Sequence, residues 1–331
     1  VRRFLRLRAV NMAETVTGEC QPGFSPLVDL LASRIEDGTD QGCGVTVIVN
    51  GERVADLRAG FRNRQQTEPF GDPLLSIYSS GKAVLAALIM RAVSEGQLDY
   101  DQPISEIWPE FGDAGKENVT LAQALSHQAG VPGFVEKTDP AIWIDWKATC
   151  ARIAAMPPLW SPGTANGYHP QTVGHIGGEV LRRATGKTVG EHLNELNIDI
   201  HCGMEASLQA KTAPMRKPSR APDLGELDEI TRAAFLQPWS SAAGVSREHW
   251  MAAEIPASNM HATSRGLAEI MQVFATGRFR NAPLVQADAR RGATAERISG
   301  PDKVLPFHLS WAAGVMRNTS GYLGPNPNAV G

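Results

Sequence analysis

Ser76-Ile77-Tyr78-Ser79-Ser80-Gly81-Lys82 runs directly into Ala83-Val84-Leu85-Ala86-Ala87-Leu88-Ile89-Met90, and the junction between the two decides how the chain is read. Val84, Leu85, Leu88, Ile89 and Val93 recur at helical intervals, so the spacing predicts a helix from Lys82 to about Leu98 that starts beside Ser79. Residues three apart at a helix start share a face, which puts the Lys82 amine within reach of the Ser79 hydroxyl. No other Ser-x-x-Lys occurs in the chain. An ordinary serine is a poor nucleophile near neutral pH. A lysine whose pKa is lowered by desolvation can accept its proton, and a helix N-terminus favours developing negative charge. The same residues also fit a plain helix start with a capping serine and a solvated lysine, so the surrounding chain must choose between the two.

Upstream, Ser25-Pro26 with Leu27, Leu30, Leu31 and Ile35 reads as a helix with a capping serine and proline at its first position. Gly44-Val45-Thr46-Val47-Ile48-Val49, Asn50-Gly51 and Arg53-Val54-Ala55-Asp56-Leu57 form a hairpin signal, because Asn-Gly readily takes the positive φ angles of a type I′ turn. Downstream, residues 120 to 275 read as helices between Pro- and Gly-containing loops. Thr120 is placed to cap Leu121 to His127, and Thr188 with Glu191 has capping-box spacing. Strand character returns only at His308 to Met316. Strands at both ends of a helical middle predict an α/β fold of the α+β type. Its antiparallel sheet is flanked by helices, with residues 1–72 and 302–331 as a discontinuous lobe and 73–301 as an inserted, mainly helical lobe carrying the nucleophile.

Composition narrows the function classes. The 331 residues are 42% hydrophobic and 20% charged, with a formal charge of −3. That balance offers no general attraction for phosphate backbones or anionic lipid, and no stretch approaches the roughly eighteen apolar residues that span a bilayer. A small-molecule site is expected, with neither nucleic acid nor membrane as partner; oligomeric state is not legible. Cys20, Cys43, Cys150 and Cys202 are scattered without a CxxC pair and read as reduced thiols. Arg6 and Arg8 break the apolar run of the opening before any signal-peptide core develops. The expected reading is an upstream-extended start, with Met12 as initiator and a cytoplasmic location.

Beyond Ser79-Ser80-Gly81-Lys82, the run Gly96-Gln97-Leu98-Asp99-Tyr100-Asp101-Gln102-Pro103 resembles the nucleophile region of class C-type beta-lactamases, DD-peptidases and family VIII carboxylesterases. The block Leu125-Ser126-His127 with Gly130 and Pro132 is similar to that superfamily in the same order. So are Trp160-Ser161-Pro162-Gly163-Thr164, Tyr168-His169-Pro170 and Ala184-Thr185-Gly186-Lys187. The resemblance spans about residues 40 to 315. It implies an acyl-enzyme serine hydrolase with Ser79 as nucleophile, Lys82 as proton acceptor and Tyr168 as second acid/base, needing no metal and no organic cofactor. Relatives that cleave lactams usually carry Asn where Pro170 stands, which tilts the expectation towards small esters. A beta-lactamase or D-amino-acid peptidase is the alternative, and a catalytically silent binding member is the alternative from another class.

Other motifs fall away on inspection. Gly186-Lys187-Thr188 imitates the end of a P-loop, but Leu181 occupies the place of its first glycine. His175-Ile176-Gly177 imitates a third family motif, yet it lies within a helical pattern close behind Tyr168 and is read as packing. His127, His169, His175 and His261 lack metal-ligand spacing. A third motif of Lys-Thr-Gly, His-x-Gly or Trp-Gly-Gly type is expected after the Trp311–Met316 strand. The sequence stops at Asn326-Pro327-Asn328-Ala329-Val330-Gly331, so a C-terminally truncated chain lacking that motif is the expectation.

Overall fold

The computed structural model describes residues 5–7, 15–215, 226–239, 244–319 and 321–331. Met12 lies outside the described residues. Strands β1 (Leu5–Leu7), β2 (Val16–Cys20), β3 (Gly42–Val49) and β4 (Glu52–Gly60) form an antiparallel sheet in the order β1-β2-β4-β3. The β3–β4 turn is the Asn50-Gly51 pair, both with positive φ (52° and 82°), as a type I′ turn requires. Alternation along β4 then sorts the faces. Ala55, Leu57 and Ala59 pack with Leu31 and Ile35 of helix α1 (Pro26–Glu36). Asp56 and Arg58, between them, face the other way, where Asp56 accepts from Arg265 and Thr46 meets Ser264. Ser25 does not cap α1. It sits in helical conformation after a 3₁₀ turn, Pro22–Phe24, and makes no side-chain cap bond.

Helix α2 (Gly81–Ser94) is apolar on every side and has 11 of its 14 residues buried, the pattern of a central helix. Around it and along the chain lie α3 (Leu121–Leu125), α4 (Trp146–Ala155), α5 (Thr172–Thr185), α6 (Val189–Leu196), α7 (Ala206–Gln209), α8 (Glu229–Phe235), α9 (Arg247–Ala252), α10 (Ser264–Thr276) and α11 (Ala287–Thr294). Helices α5, α10 and α11 pack directly on α2, and α10 also covers β3. Thr120 caps α3 and Thr188 caps α6, each with a full capping box completed by Gln123 and Glu191.

Strands are not confined to the two ends. β5 (Leu75–Ser76), β6 (Ile200–His201) and β7 (His261–Ala262) form a small antiparallel sheet in the order β5-β7-β6. Two-residue strands are too short to show alternation, so β6 and β7 leave no signal within the helical pattern of 120–275, nor β5 ahead of Ser79. A minor pair, β8 (Arg278–Phe279) and β9 (Ala282–Pro283), follows α10. The late strand is shorter than expected: among the described residues β11 (His308–Trp311) pairs with β10 (Ile298–Pro301) and bridges from Trp311 to Met316, but does not join the N-terminal sheet. Beyond it, Met316 and Gly331 exchange backbone hydrogen bonds.

Candidate active site

Strand β5 leads straight into the turn that carries Ser79. The Ile77 N–H donates to Met260 O, Tyr78 adopts a positive φ of 45°, and Ser79 lies in a 3₁₀ turn (Tyr78–Ser80) that runs into α2. Ser79 is exposed whereas Lys82, three residues on, is buried. The Lys82 Nζ donates to Ser79 Oγ at 3.1 Å and to Ala257 O at 2.9 Å. Burial lowers the Lys82 pKa from its ordinary 10.5, opposed by the neighbouring Tyr168. The loop that supplies the Ala257 carbonyl approaches through two glycines. A Cβ on Gly81 would lie 2.4 Å from Pro256 O, and one on Gly174 would lie 2.5 Å from the Ala257 nitrogen.

Tyr168 arrives from a distant irregular segment, and its hydroxyl donates to Ser79 Oγ at 2.7 Å. Lys82 Nζ also sits 4.9 Å from the Tyr168 ring centre. The three residues singled out from the sequence therefore meet at one oxygen. Such an arrangement can pass the serine proton to a neutral Lys82 amine within a single hydrogen bond, with the Tyr168 hydroxyl beside them as a proton donor.

Two imidazoles and a carboxylate hold this geometry, and sequence reasoning gave none of them a role. His127 is buried, with φ 64°; its carbonyl accepts from Gly167 N at 3.0 Å and its Nδ1 from His169 N at 3.1 Å. His169 Nε2 accepts from Val131 N at 3.1 Å, so its Nδ1–H donates to Gly167 O at 2.6 Å. Neither ring is free to act as a metal ligand through those atoms. Burial holds the His127 pKa well below 6.5 and lowers that of His169 to about 4. Asp302 accepts from the Tyr168 backbone N–H at 2.9 Å. The Trp311 ring stacks on Tyr168 at 6.0 Å and meets His127 edge-on at 4.4 Å. His175, the imitation motif, is buried within α5 beside Trp143 and Trp146. A signal existed for His127 and His169, which stand within the Leu125-Ser126-His127 and Tyr168-His169-Pro170 motifs. Asp302 lies 134 residues from its partner and had none.

Among the described residues no group of three His, Cys, Asp or Glu could hold a metal ion, and no helix is long and apolar enough to cross a membrane. A beta-lactamase family model matches residues 30–331. The chain belongs to the beta-lactamase family. It is a serine hydrolase of that fold, and relatives of both names surround it. The esterase/beta-lactamase LipL of Mycobacterium tuberculosis is 28% identical over 332 residues, covering 89% of this chain and 74% of its own. A penicillin-binding protein homolog from Caulobacter crescentus superposes with a TM-score of 0.90 at 43% identity, covering 96% of this chain and 87% of its own. A family VIII carboxylesterase gives a TM-score of 0.89 at 33% identity with the same coverage. These likenesses carry the antiparallel sheet and surrounding helices expected of a beta-lactamase-type fold.

Proposed function

We propose that this member of the family is a carboxylesterase acting on small esters through an acyl-Ser79 intermediate. The observation that carries the reading is the convergence of Lys82 Nζ, at 3.1 Å, and the Tyr168 hydroxyl, at 2.7 Å, on Ser79 Oγ. Ser79 Oγ attacks the ester carbonyl carbon while its proton passes to the neutral Lys82 amine, and the carbonyl electron pair moves to oxygen. In this reading the backbone N–H of Ser79, in the turn that opens into α2, holds that oxyanion. As the tetrahedral adduct collapses, the bond to the alcohol oxygen breaks and Tyr168 gives that oxygen a proton, which Lys82 replaces. Water then attacks the acyl-serine carbonyl as its proton passes to Lys82; the acyl–Oγ bond breaks, the pair returns a proton to Ser79 Oγ, and the acid leaves.

Ester preference rests on Pro170. Lactam-cleaving relatives resemble this chain around Tyr168 but usually place an Asn amide at that third position, where it helps bind the substrate amide. Here a buried proline offers none. A site that leaves a substrate's polar group without its partner discriminates against that substrate by about a hundredfold. p-Nitrophenyl acetate, butyrate and octanoate should be compared with nitrocefin. The expected result is a kcat/KM for the best ester at least about a hundredfold above that for nitrocefin. The opposite ranking would establish a lactamase and reject the ester assignment.

A further inference from the structure

We propose that Asp302 is the positioning residue for Tyr168, gripping its backbone so that the phenol stays on Ser79. The proposal rests on the acid/base reading of Tyr168 above. Tyr168 belongs to no helix or strand, so nothing regular fixes its place. Its segment is held from two sides in alternation. Gly167 and His169 are tied to His127, as described. Asn166 and Tyr168 are tied to the turn that begins at Asp302.

That second attachment is dense. Asp302 Oδ1 accepts from Tyr168 N, Val304 N and Leu305 N, each at 2.9 Å, and Oδ2 accepts from Asn166 Nδ2 at 2.9 Å. Lys303 N donates back to Asn166 O at 2.9 Å. Asn166 is 1% exposed, so these bonds form largely out of competition with water. Four donors on one side chain call for an acceptor with about four lone-pair sites, which only a carboxylate supplies. Asp302 also stands at the head of the β10–β11 connection, and β11 carries Trp311, which stacks on the Tyr168 ring. One hairpin thus fixes both the backbone and the ring of Tyr168, leaving its hydroxyl a single direction. Asp302 touches neither Ser79 nor any reacting atom, so it acts only through Tyr168.

The test is a double-mutant cycle on ester hydrolysis, joined to amide hydrogen exchange read by mass spectrometry. Asp302→Ala should lower kcat by about ten- to a hundredfold with KM little changed, the scale of a misplaced rather than missing acid/base. Asp302→Asn keeps one acceptor oxygen, can pair with a turned Asn166 amide, and should recover most of the loss. In a Tyr168→Phe background Asp302→Ala should cost almost nothing further, because its effect passes through the phenol already removed. Exchange should quicken in peptides covering 164–169 and stay unchanged in α2. Multiplicative losses in the cycle, or unaltered exchange at 164–169, would overturn the proposal. If Asp302→Ala fails to fold, Asp302→Ser, whose shorter side chain cannot reach all four donors, takes its place in the cycle and is judged by the same outcomes. A parent chain that hydrolyses no ester would sink the catalytic reading instead, and the exchange data would still judge the grip of Asp302 on Tyr168.

Discussion

Lys82 and Lys116 are both buried, and their hydrogen-bond partners separate their roles. Lys116 spends its three donors on three backbone carbonyls, those of Asp113, Ala154 and Met156, which is the bonding of a structural ammonium. Lys82 reaches one carbonyl and the Ser79 hydroxyl. Its pKa is lowered by burial, so the neutral amine that the proposed acylation requires becomes available below pH 10.5. Acylation should therefore rise with pH along a limb whose midpoint lies under 10.5, and pre-steady-state release of p-nitrophenol across pH 6 to 10.5 measures it. Tyr168→Phe should cut turnover by about a hundredfold or more while the melting temperature barely moves, since the ring packing on Trp311 and His127 is kept. An unaltered rate with a lower melting temperature would make Tyr168 a packing residue. Ser79 and Lys82 were legible in the sequence because their relation is local, three residues apart on a helix start. Tyr168 was legible only through the order of the family-like motifs. The residues that hold it act through backbone bonds spanning 42 and 134 positions, and no spacing rule reaches so far.

Among the elements, capping boxes and the Asn-Gly hairpin were readable because each is decided by residues within four positions of one another. The Ser25 cap was misread because a 3₁₀ turn takes over the entry to α1. The β5–β7–β6 sheet stayed hidden because its two-residue strands are specified by what they pack against. One contact between elements bears directly on the site. Helix α5 carries Gly174 where the 256–258 loop crosses it, and a methyl there would sit 2.5 Å from the Ala257 nitrogen. Gly174→Ala must push the loop that holds the Ala257 carbonyl against Lys82. Overpacking of this kind costs about 1–3 kcal/mol. A lower melting temperature together with slower acylation is the expected result, read by thermal unfolding and by the p-nitrophenol burst. A variant that acylates at the parent rate would show that the Ala257 carbonyl does not help set the lysine.

Across the whole molecule, burial lowers the pKa of five buried histidines: His127, His192, His169, His175 and His261. Burial lowers the last three from 6.5 to about 4. A histidine whose folded pKa lies below its unfolded value contributes stability that is complete above about pH 6.5 and disappears as pH falls towards 4. For a fully buried ring such as His169 or His175 the linked free energy is of the order of 3 kcal/mol, a sizeable share of a typical domain's stability. Glu179 adds its own loss lower down, between 4.5 and about 2, because Arg182, Arg183 and Trp146 hold it ionised against the cost of its burial. The melting temperature should fall steeply between pH 6.5 and 4.5, as followed by circular dichroism, and a flat profile over that range would contradict the buried neutral imidazoles. The overall architecture was legible because a hairpin, an apolar central helix and a string of capped helices leave few ways to pack, whereas the long-range polar clamps on Tyr168 were not. The central claim is that Ser79 becomes acylated with Lys82 as its base. Mass spectrometry of the chain treated with a fluorophosphonate tests it most directly. A single adduct on the peptide containing Ser79, absent from Ser79→Ala and slowed about a hundredfold or more in Lys82→Ala, is the predicted result. An adduct that persists in Ser79→Ala, or forms at the parent rate in Lys82→Ala, would contradict it.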